Sequence, residues 1–188
     1  MASRFYRLFP AMDARHGMAE PTDPAEWTPG HRDAYFLGIK RPGRVEDLPQ
    51  VTSFTVHDWH ARGDVVPCTK AFEFYSAKLR QVIEASLTEE DVVQWFGSTL
   101  LAEDGSPAGT WWIMHPPDVM PMNVGATTYG GLAGVIKGVI DPGLIGGRNA
   151  FKYPYGFPPV LSEAVCEAIR RAGCSGLIFE GVPVRSAS

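Results

Sequence analysis

Two stretches of the chain share one pattern of apolar and polar positions, the first near the middle and the second near the end. In YSAKLRQVIEAS, which begins at Tyr75, the apolar residues Leu79, Val82 and Ile83 fall on one face of a helix. In LSEAVCEAIRRAG a similar spacing ends at Gly173, a residue suited to a left-handed C-cap. A serine near the start of each stretch can cap the first helical turn. The pattern predicts two capped amphipathic helices, each followed by a turn and an apolar strand, and it does not require an internal duplication.

Runs rich in β-branched and aromatic residues predict the strands. The predicted strands are RFYRLFP at 4–10, AYFLGI at 34–39, VTSFTVHDW at 51–59, a run from Val92 to about Leu101, and GLIFEGV at 176–182. The turn sequence AEDGSPAG separates VVQWFGSTLL from TWWIM, so these two runs are predicted to form a β-hairpin with a longer loop. Thr88 provides a further cap signal just before the first of these runs.

The abundance of glycine and proline shapes the predicted fold. The 188 residues include 20 glycines and 16 prolines, so we expect short elements joined by many loops. A long N-terminal loop is expected at about 11–33, and an irregular Gly/Pro-rich segment at about 140–159. The length suits one domain spanning 1–188. We expect an α+β fold, with a mainly antiparallel sheet and two or three helices packed against it.

Charge and cysteine content narrow the functional class. A net charge of −4 gives no electrostatic reason to bind nucleic acid or anionic lipid, and favours a basic partner if the partner is charged. Cys68, Cys166 and Cys174 form no C-x-x-C pair, which is typical of reduced thiols in the cytoplasm. No apolar run is long enough for a signal peptide or a membrane span. We therefore expect a cytoplasmic protein of unknown oligomeric state without a membrane span.

The string HDWH is the first candidate for catalytic chemistry. On a strand, His57 and Trp59 would share one face, while Asp58 and His60 would share the other. A metal site also needs a third ligand, and His115 is the remaining histidine in the middle of the chain. The sequence therefore predicts no metal site. A small metal-dependent hydrolase that uses His57, Asp58 and His60 stays the alternative function.

Other candidate motifs predict no cofactor. Cys174 lies in GCSG and could pair with a histidine as a nucleophile, but these glycines follow a helix rather than precede one. The glycine-rich runs YGGLAG and GLIGGRNA match neither a phosphate-binding P-loop nor a dinucleotide fingerprint. Loop flexibility explains them without a ligand.

The candidate binding residues are aromatic and acidic. Trp111 and Trp112 must point to opposite faces of their strand, so one of them can anchor an interface. The run TEED at 88–91 places three acids at one turn, either as favourable charges at a helix start or as part of a face for a basic partner. The candidate contacts are Trp59, Glu89, Glu90, Asp91 and Trp112.

The order of these patterns resembles a bacterial family of immunity proteins from polymorphic toxin systems, formerly labelled a domain of unknown function and common in myxobacteria and other proteobacteria. That family has a Ser-capped helix of the form S-x-x-L-x-x-x-L, which Ser76, Leu79 and Ile83 fit, and a last strand G-x-x-F, which Gly176 and Phe179 fit. Its aromatic hairpin strand corresponds to TWWIM. The similarity covers about 69–182 apart from 114–159, and MHPPDVMPMN stands where the family has an asparagine–leucine–aspartate run.

The resemblance implies a role without catalysis. A member of this family would bind a cognate toxin domain in the cytoplasm and occlude its active site or a surface near it. Two other classes stay open. One is a small enzyme, either the metal-dependent hydrolase or a cysteine enzyme using Cys174, and the other is an adaptor that dimerises through an exposed sheet edge.

Overall fold

The computed structural model describes residues 4–11, 17–25, 27–30, 38–39, 41–46, 53–57, 63–69, 72–130, 135–154 and 158–186. Its helices are α1 (Ala77–Glu84), α2 (Glu163–Arg171) and a 3-10 turn (Pro142–Leu144). Its strands are β1 (Phe5–Pro10), β2 (Ala19–Pro21), β3 (Ser53–Val56), β4 (Val65–Pro67), β5 (Glu73–Tyr75), β6 (Gln94–Ala102), β7 (Pro107–His115), β8 (Thr128–Tyr129), β9 (Val135–Lys137), β10 (Ala150–Lys152), β11 (Pro159–Ser162) and β12 (Leu177–Val182). The fold is α+β with mainly antiparallel pairing, as predicted.

Six strands form a nearly closed, barrel-like sheet in the order β2-β3-β6-β7-β5-β4. All neighbours are antiparallel except β3 and β6, which are parallel. The two edge strands approach each other, because the Thr69 N–H donates to the Ala19 carbonyl oxygen at 2.9 Å. The predicted hairpin is confirmed as β6 and β7, which pair from Gln94↔His115 to Leu101↔Pro107.

Large aromatic side chains fill the inside of the barrel-like sheet. The rings of Phe54, Phe72 and Phe74 meet edge to face, with centroids 4.9–5.9 Å apart. Trp111 and Ile113 of β7 join the same buried cluster, so the alternation of β7 directs Trp112 outward. This packed interior makes the outer face of β6 and β7 a firm platform.

The remaining long strands form a four-stranded antiparallel sheet in the order β10-β11-β1-β12. The predicted opening strand is confirmed as β1, which lies inside this sheet between the two strands that flank α2. On one face of the sheet, a buried cluster includes Phe5, Phe151 and Val160. Residues from the glycine- and proline-rich part of the chain, such as Ile140 and Ile145, cover that face.

The two helices lie between the sheets and share one apolar cluster with both of them. Leu79 and Ile83 of α1 pack with Val165 and Ile169 of α2, and all four side chains are fully buried. The predicted apolar stripes are therefore confirmed. Each predicted cap is present as well, since the serine before each helix accepts the N–H of its third residue, at 3.1 Å in α1 and 3.5 Å in α2.

Asp64 joins the ends of the two helices. Its Oδ1 accepts the hydroxyl of the α1 cap, Ser76, at 2.6 Å, and its Oδ2 accepts the Ser175 N–H at 2.9 Å. The chains approach closely here, because a Cβ on Gly63 would lie 2.8 Å from the Cα of Gly176. Gly176 also has a φ of +76°, which disfavours any other residue. Gly176, the last residue of the GCSG motif, therefore allows the two backbones to pack closely.

Several predicted segments differ in the structure. The strand predicted at 34–39 is wrong for Gly38 and Ile39, whose backbone is helical, and 34–37 lie outside the described residues. The segment predicted as a loop at 11–33 contains β2, and the segment predicted as irregular at 140–159 contains the 3-10 turn and β10. The cap signal at Thr88 starts a turn and not a helix, because the Asp91 carboxylate accepts its N–H at 2.8 Å.

Replacing Asp64 with asparagine is expected to lower the free energy of unfolding by roughly 1–3 kcal/mol, since the amide keeps a single, uncharged acceptor oxygen, so that one of the two hydrogen bonds is lost and the other is weakened. Urea denaturation of the wild type and the variant measures the difference. Glu89→Gln is the matched control, because its exposed side chain should change the midpoint little. Equal stability of Asp64→Asn and the wild type would contradict the role of Asp64 as the joint between the helices.

Candidate functional site

The outer face of β7 carries a stack of aromatic and cationic side chains. The Arg80 guanidinium of α1 lies 3.9 Å from the centroid of the Trp112 ring and 5.6 Å from that of Trp95. Its Nε also donates to the Glu84 Oε1 at 3.0 Å, one turn along the helix. We call Arg80, Glu84, Trp95 and Trp112 the Trp–Arg face. Trp112 and Trp95 are partly buried, so each ring keeps some surface for a partner.

Local sequence explains why the Trp112 ring lies against the sheet. Gly97 of β6 is directly opposite Trp112, and a Cβ at this position would come within 3.0 Å of the indole ring. Glycine therefore leaves room for the ring above the strand backbone. On the other side, Tyr75 of β5 pairs with Trp112 and its ring meets Trp95 edge to face at 6.2 Å. The Trp–Arg face is thus fixed from two neighbouring strands and one helix.

Polar groups without partners lie beneath the Trp–Arg face. Within the described residues, the buried Tyr75 hydroxyl and the buried Trp95 Nε1 have no hydrogen-bond partner. Glu73 shares the Tyr75 side of β5, and burial raises its pKa to about 7. Burial, with a smaller contribution from Glu73, raises the pKa of Tyr75 well above its usual value. Buried polar groups without hydrogen-bond partners are found most often where a surface serves function rather than stability.

The three acidic residues of the turn at 88–91 have two different roles. The Asp91 carboxylate accepts the N–H groups of Asn149 and Ala150 at 2.7 and 2.9 Å, in addition to its bonds to Thr88, and so holds the turn against β10. Glu89 and Glu90 have exposed side chains. Of the three acids predicted as contacts, Asp91 is therefore committed to structure, while the other two face solvent.

His57 is held between two carboxylates. Its Nε2 lies 2.5 Å from the Glu20 Oε1, and its Nδ1 lies 2.8 Å from the Glu103 Oε1. The hydrogen bond to Glu103, followed by that to Glu20, raises the pKa of His57. The three side chains connect β2, the end of β3 and the β6–β7 turn. Asp58, Trp59 and His60 lie outside the described residues, so the structure does not place the rest of HDWH.

His115 is buried and binds backbone instead of joining His57. Its Nε2 lies 2.9 Å from the Gly43 carbonyl oxygen, and its Nδ1 lies 3.1 Å from that of Ile39 and 3.3 Å from the Lys152 Nζ. A neutral ring with the proton on Nε2 donates to Gly43 and accepts from Lys152. Burial lowers the pKa of His115, which favours that neutral form. In the part of the chain that the structure describes, no three His, Cys, Asp or Glu side chains are placed to hold a metal ion.

Cys174 is partly buried, and burial, followed by the charge of Asp64, raises the pKa of its thiol. The thiolate that a cysteine nucleophile needs is therefore disfavoured at neutral pH.

The contacts that hold the Trp–Arg face together were not predicted from the sequence. Gly97 inside a β-rich run was the one local signal, because an interior glycine often marks a close approach.

Comparisons with known proteins add no family. No protein-family model matches the chain, and no curated protein is similar to it. None of the helices in the described ranges is both long and apolar enough to cross a membrane.

Replacing Glu73 with glutamine is expected to stabilise the protein above neutral pH by up to about 3 kcal/mol. The pKa of Glu73 is about 7 in the folded chain against 4.5 ordinarily, so wild-type stability falls as pH rises between these values and the variant escapes that fall. Urea midpoints from pH 4 to 9 test this. Glu89→Gln should show no such pH-dependent gain, and a constant difference between Glu73→Gln and the wild type would refute the assignment.

Replacing His115 with glutamine is expected to flatten the acid side of the stability profile. The folded chain holds the pKa of His115 below 6.5, so its contribution is complete above 6.5 and is lost as pH falls below that value. The variant should be less stable than the wild type at pH 8, with a smaller loss on acidification. His57→Gln provides the contrast, because the pKa of His57 is raised and its contribution disappears as pH increases. Parallel profiles for His115→Gln and wild type would contradict this.

Proposed function

We propose that this protein binds another protein through the Trp–Arg face, and that the partner is a toxin domain which it neutralises by occlusion. The observation that carries the proposal is the stack of Arg80 on Trp112 on the outside of the barrel-like sheet. Tryptophan and arginine are the residues most enriched at the energetic centres of protein interfaces. The similarity to immunity proteins in sequence pattern supports a toxin as the partner.

The packing of the stack favours tight binding. An exposed arginine normally loses side-chain entropy when a partner immobilises it. Here Arg80 is already held by Glu84 and by two indole rings, so less freedom remains to be lost. The platform beneath is equally fixed, because Trp111 and Ile113 anchor the inner side of the same strand. A prearranged aromatic surface of this kind suits an inhibitor that must hold its target.

The charge of the molecule favours a basic partner. The net charge is −4, and the exposed Glu89 and Glu90 lie at a turn that leads directly into β6 and Trp95. Complementary charge accelerates encounter and disfavours acidic partners, with less effect on the lifetime of the complex. We assign Glu89 and Glu90 to the approach of the toxin, and Trp112 and Arg80 to its retention.

Trp112→Ala and Arg80→Ala are each expected to weaken binding of the candidate toxin encoded beside this gene by about tenfold to a hundredfold or more. Titration calorimetry measures the affinity, and survival of cells that co-express both proteins measures protection. Thr110→Ala is the control, since Thr110 is exposed on the same side of β7. Thermal unfolding checks that each variant is folded.

A double substitution, Glu89→Gln with Glu90→Gln, should slow association and reduce its dependence on salt while leaving dissociation nearly unchanged. Failure of the wild type to form a complex or to protect cells would remove the proposal. A stoichiometric bound metal in the purified protein would instead favour the hydrolase based on His57, Asp58 and His60.

A further inference from the structure

The strand β12 forms an open edge of the four-stranded sheet. It pairs with β1 along its whole length, from Pro10↔Leu177 to Phe5↔Val182. In the described ranges no strand pairs with its other side. The opposite edge, β10, is shorter and is bridged through Lys152 to Val119, and the barrel-like sheet joins its own two edges through Ala19 and Cys68. The backbone groups on the outer side of β12 are therefore available to a further strand.

The side chains along this edge leave it accessible. Ile178 is 51% exposed, which makes it one of the most exposed large apolar residues of the described chain. A Cβ on Gly181 would meet no atom within 4 Å, so the face of the sheet is open at this position. Glu180 carries the single charge of the strand, and Arg7 of β1 lies 3.6 Å from it. The charge that would guard the edge against pairing is thus already paired within the sheet.

We propose that two copies of this chain associate through β12, as antiparallel strands related by a two-fold axis at Ile178. Only an extended backbone can satisfy a row of alternating N–H and C=O groups, which selects a strand as the occupant. A second copy supplies the same edge with the same apolar content. The two four-stranded sheets then become one continuous eight-stranded sheet.

The choice of a second copy rests on the register. In an antiparallel pair centred on residue 178, Ile178 meets Ile178, and Leu177 meets Phe179 twice, so each of these cross-strand pairs is apolar. The pairing ends at these three residues, because Gly176 has a φ of +76° and both backbone groups of Ser175 already bind Asp64. Residues directly opposite each other in an antiparallel pair point to the same face of the sheet. A two-fold axis perpendicular to the sheet must therefore pass through a residue and cannot pass between two residues. A centre at 180 would place two Glu180 carboxylates opposite each other. A centre at 179 would place Ile178 opposite Glu180.

The association leaves the proposed toxin-binding surface on another sheet. Trp112 belongs to β7 of the barrel-like sheet, whereas β12 belongs to the four-stranded sheet. Dimerisation and toxin binding are therefore separate properties, and either can fail without the other.

Sedimentation velocity of the full chain over the micromolar to millimolar range tests the association. The wild type is expected to shift from monomer to dimer as concentration increases. Ile178→Lys places two like charges opposite each other and should raise the dimer dissociation constant by about tenfold or more. Leu144→Lys is the control, because Leu144 is 59% exposed in the 3-10 turn and belongs to no strand, so this variant should dimerise like the wild type. A wild type that stays monomeric at millimolar concentration, or an Ile178→Lys variant that dimerises as before, overturns the proposal.

Cross-linking tests the register. Ile178→Cys, made with Cys174→Ser to remove the partly buried native thiol, should form an intermolecular disulfide on oxidation, because directly opposite residues lie within disulfide range. Gly181→Cys in the same background should not cross-link, since residue 181 lies beyond the paired residues 177–179 in the proposed register. Cross-linking of Gly181→Cys in place of Ile178→Cys overturns the proposed register.

Discussion

The apolar layer shared by the two sheets is the constraint on which the arrangement of the molecule depends. Neither helix could bury its stripe against the other alone, and Tyr75 and Met114 of the barrel-like sheet meet Leu8 and Leu161 of the second sheet within one cluster. Because β5 leads directly into α1 through Ser76, the packing of this layer also fixes how α1 is rotated about its own axis. In this rotation the Arg80 side chain lies against the rings of Trp95 and Trp112. The surface proposed for binding is thus a consequence of core packing.

Local sequence predicts the parts of this fold whose causes are local. The serine caps, the apolar stripes of α1 and α2 and the hairpin were all evident, because each depends on residues close together in the chain. The closure of the barrel-like sheet was not, since it joins Ala19 to Thr69, and no periodic pattern reports contacts between distant residues. The helical backbone at Gly38 and Ile39 was misread for a similar reason. A short apolar run suits a strand or a buried helical turn, and here the Ile39 carbonyl oxygen accepts a hydrogen bond from the Lys152 Nζ.

The candidate site, too, could be predicted from the sequence only where its causes are local. Alternation along β7 establishes that one of two adjacent tryptophans faces outward, but only the packed interior identifies it as Trp112. The sequence did not single out Arg80, because its contact with Trp112 depends on how α1 crosses the sheet. The acids at 88–91 looked alike in sequence, yet hydrogen bonds separate Asp91 from its neighbours. Charge and residue type therefore suggested a binding surface of aromatic and acidic residues. Tertiary contacts determine which of these side chains remain available for binding.

The position of β1 has a consequence for biosynthesis. The first strand of the chain pairs with two of the last, joining Phe5 to both Ser162 and Val182. Until β11 and β12 have been synthesised, this strand has no partner among the described strands, whereas every strand of the barrel-like sheet has been synthesised by about residue 115. The chain is therefore suited to vectorial folding, with the second sheet assembled only after β11 and β12 are available. Contacts this distant in sequence slow folding, and the waiting strand is the segment that a cellular chaperone would need to shield.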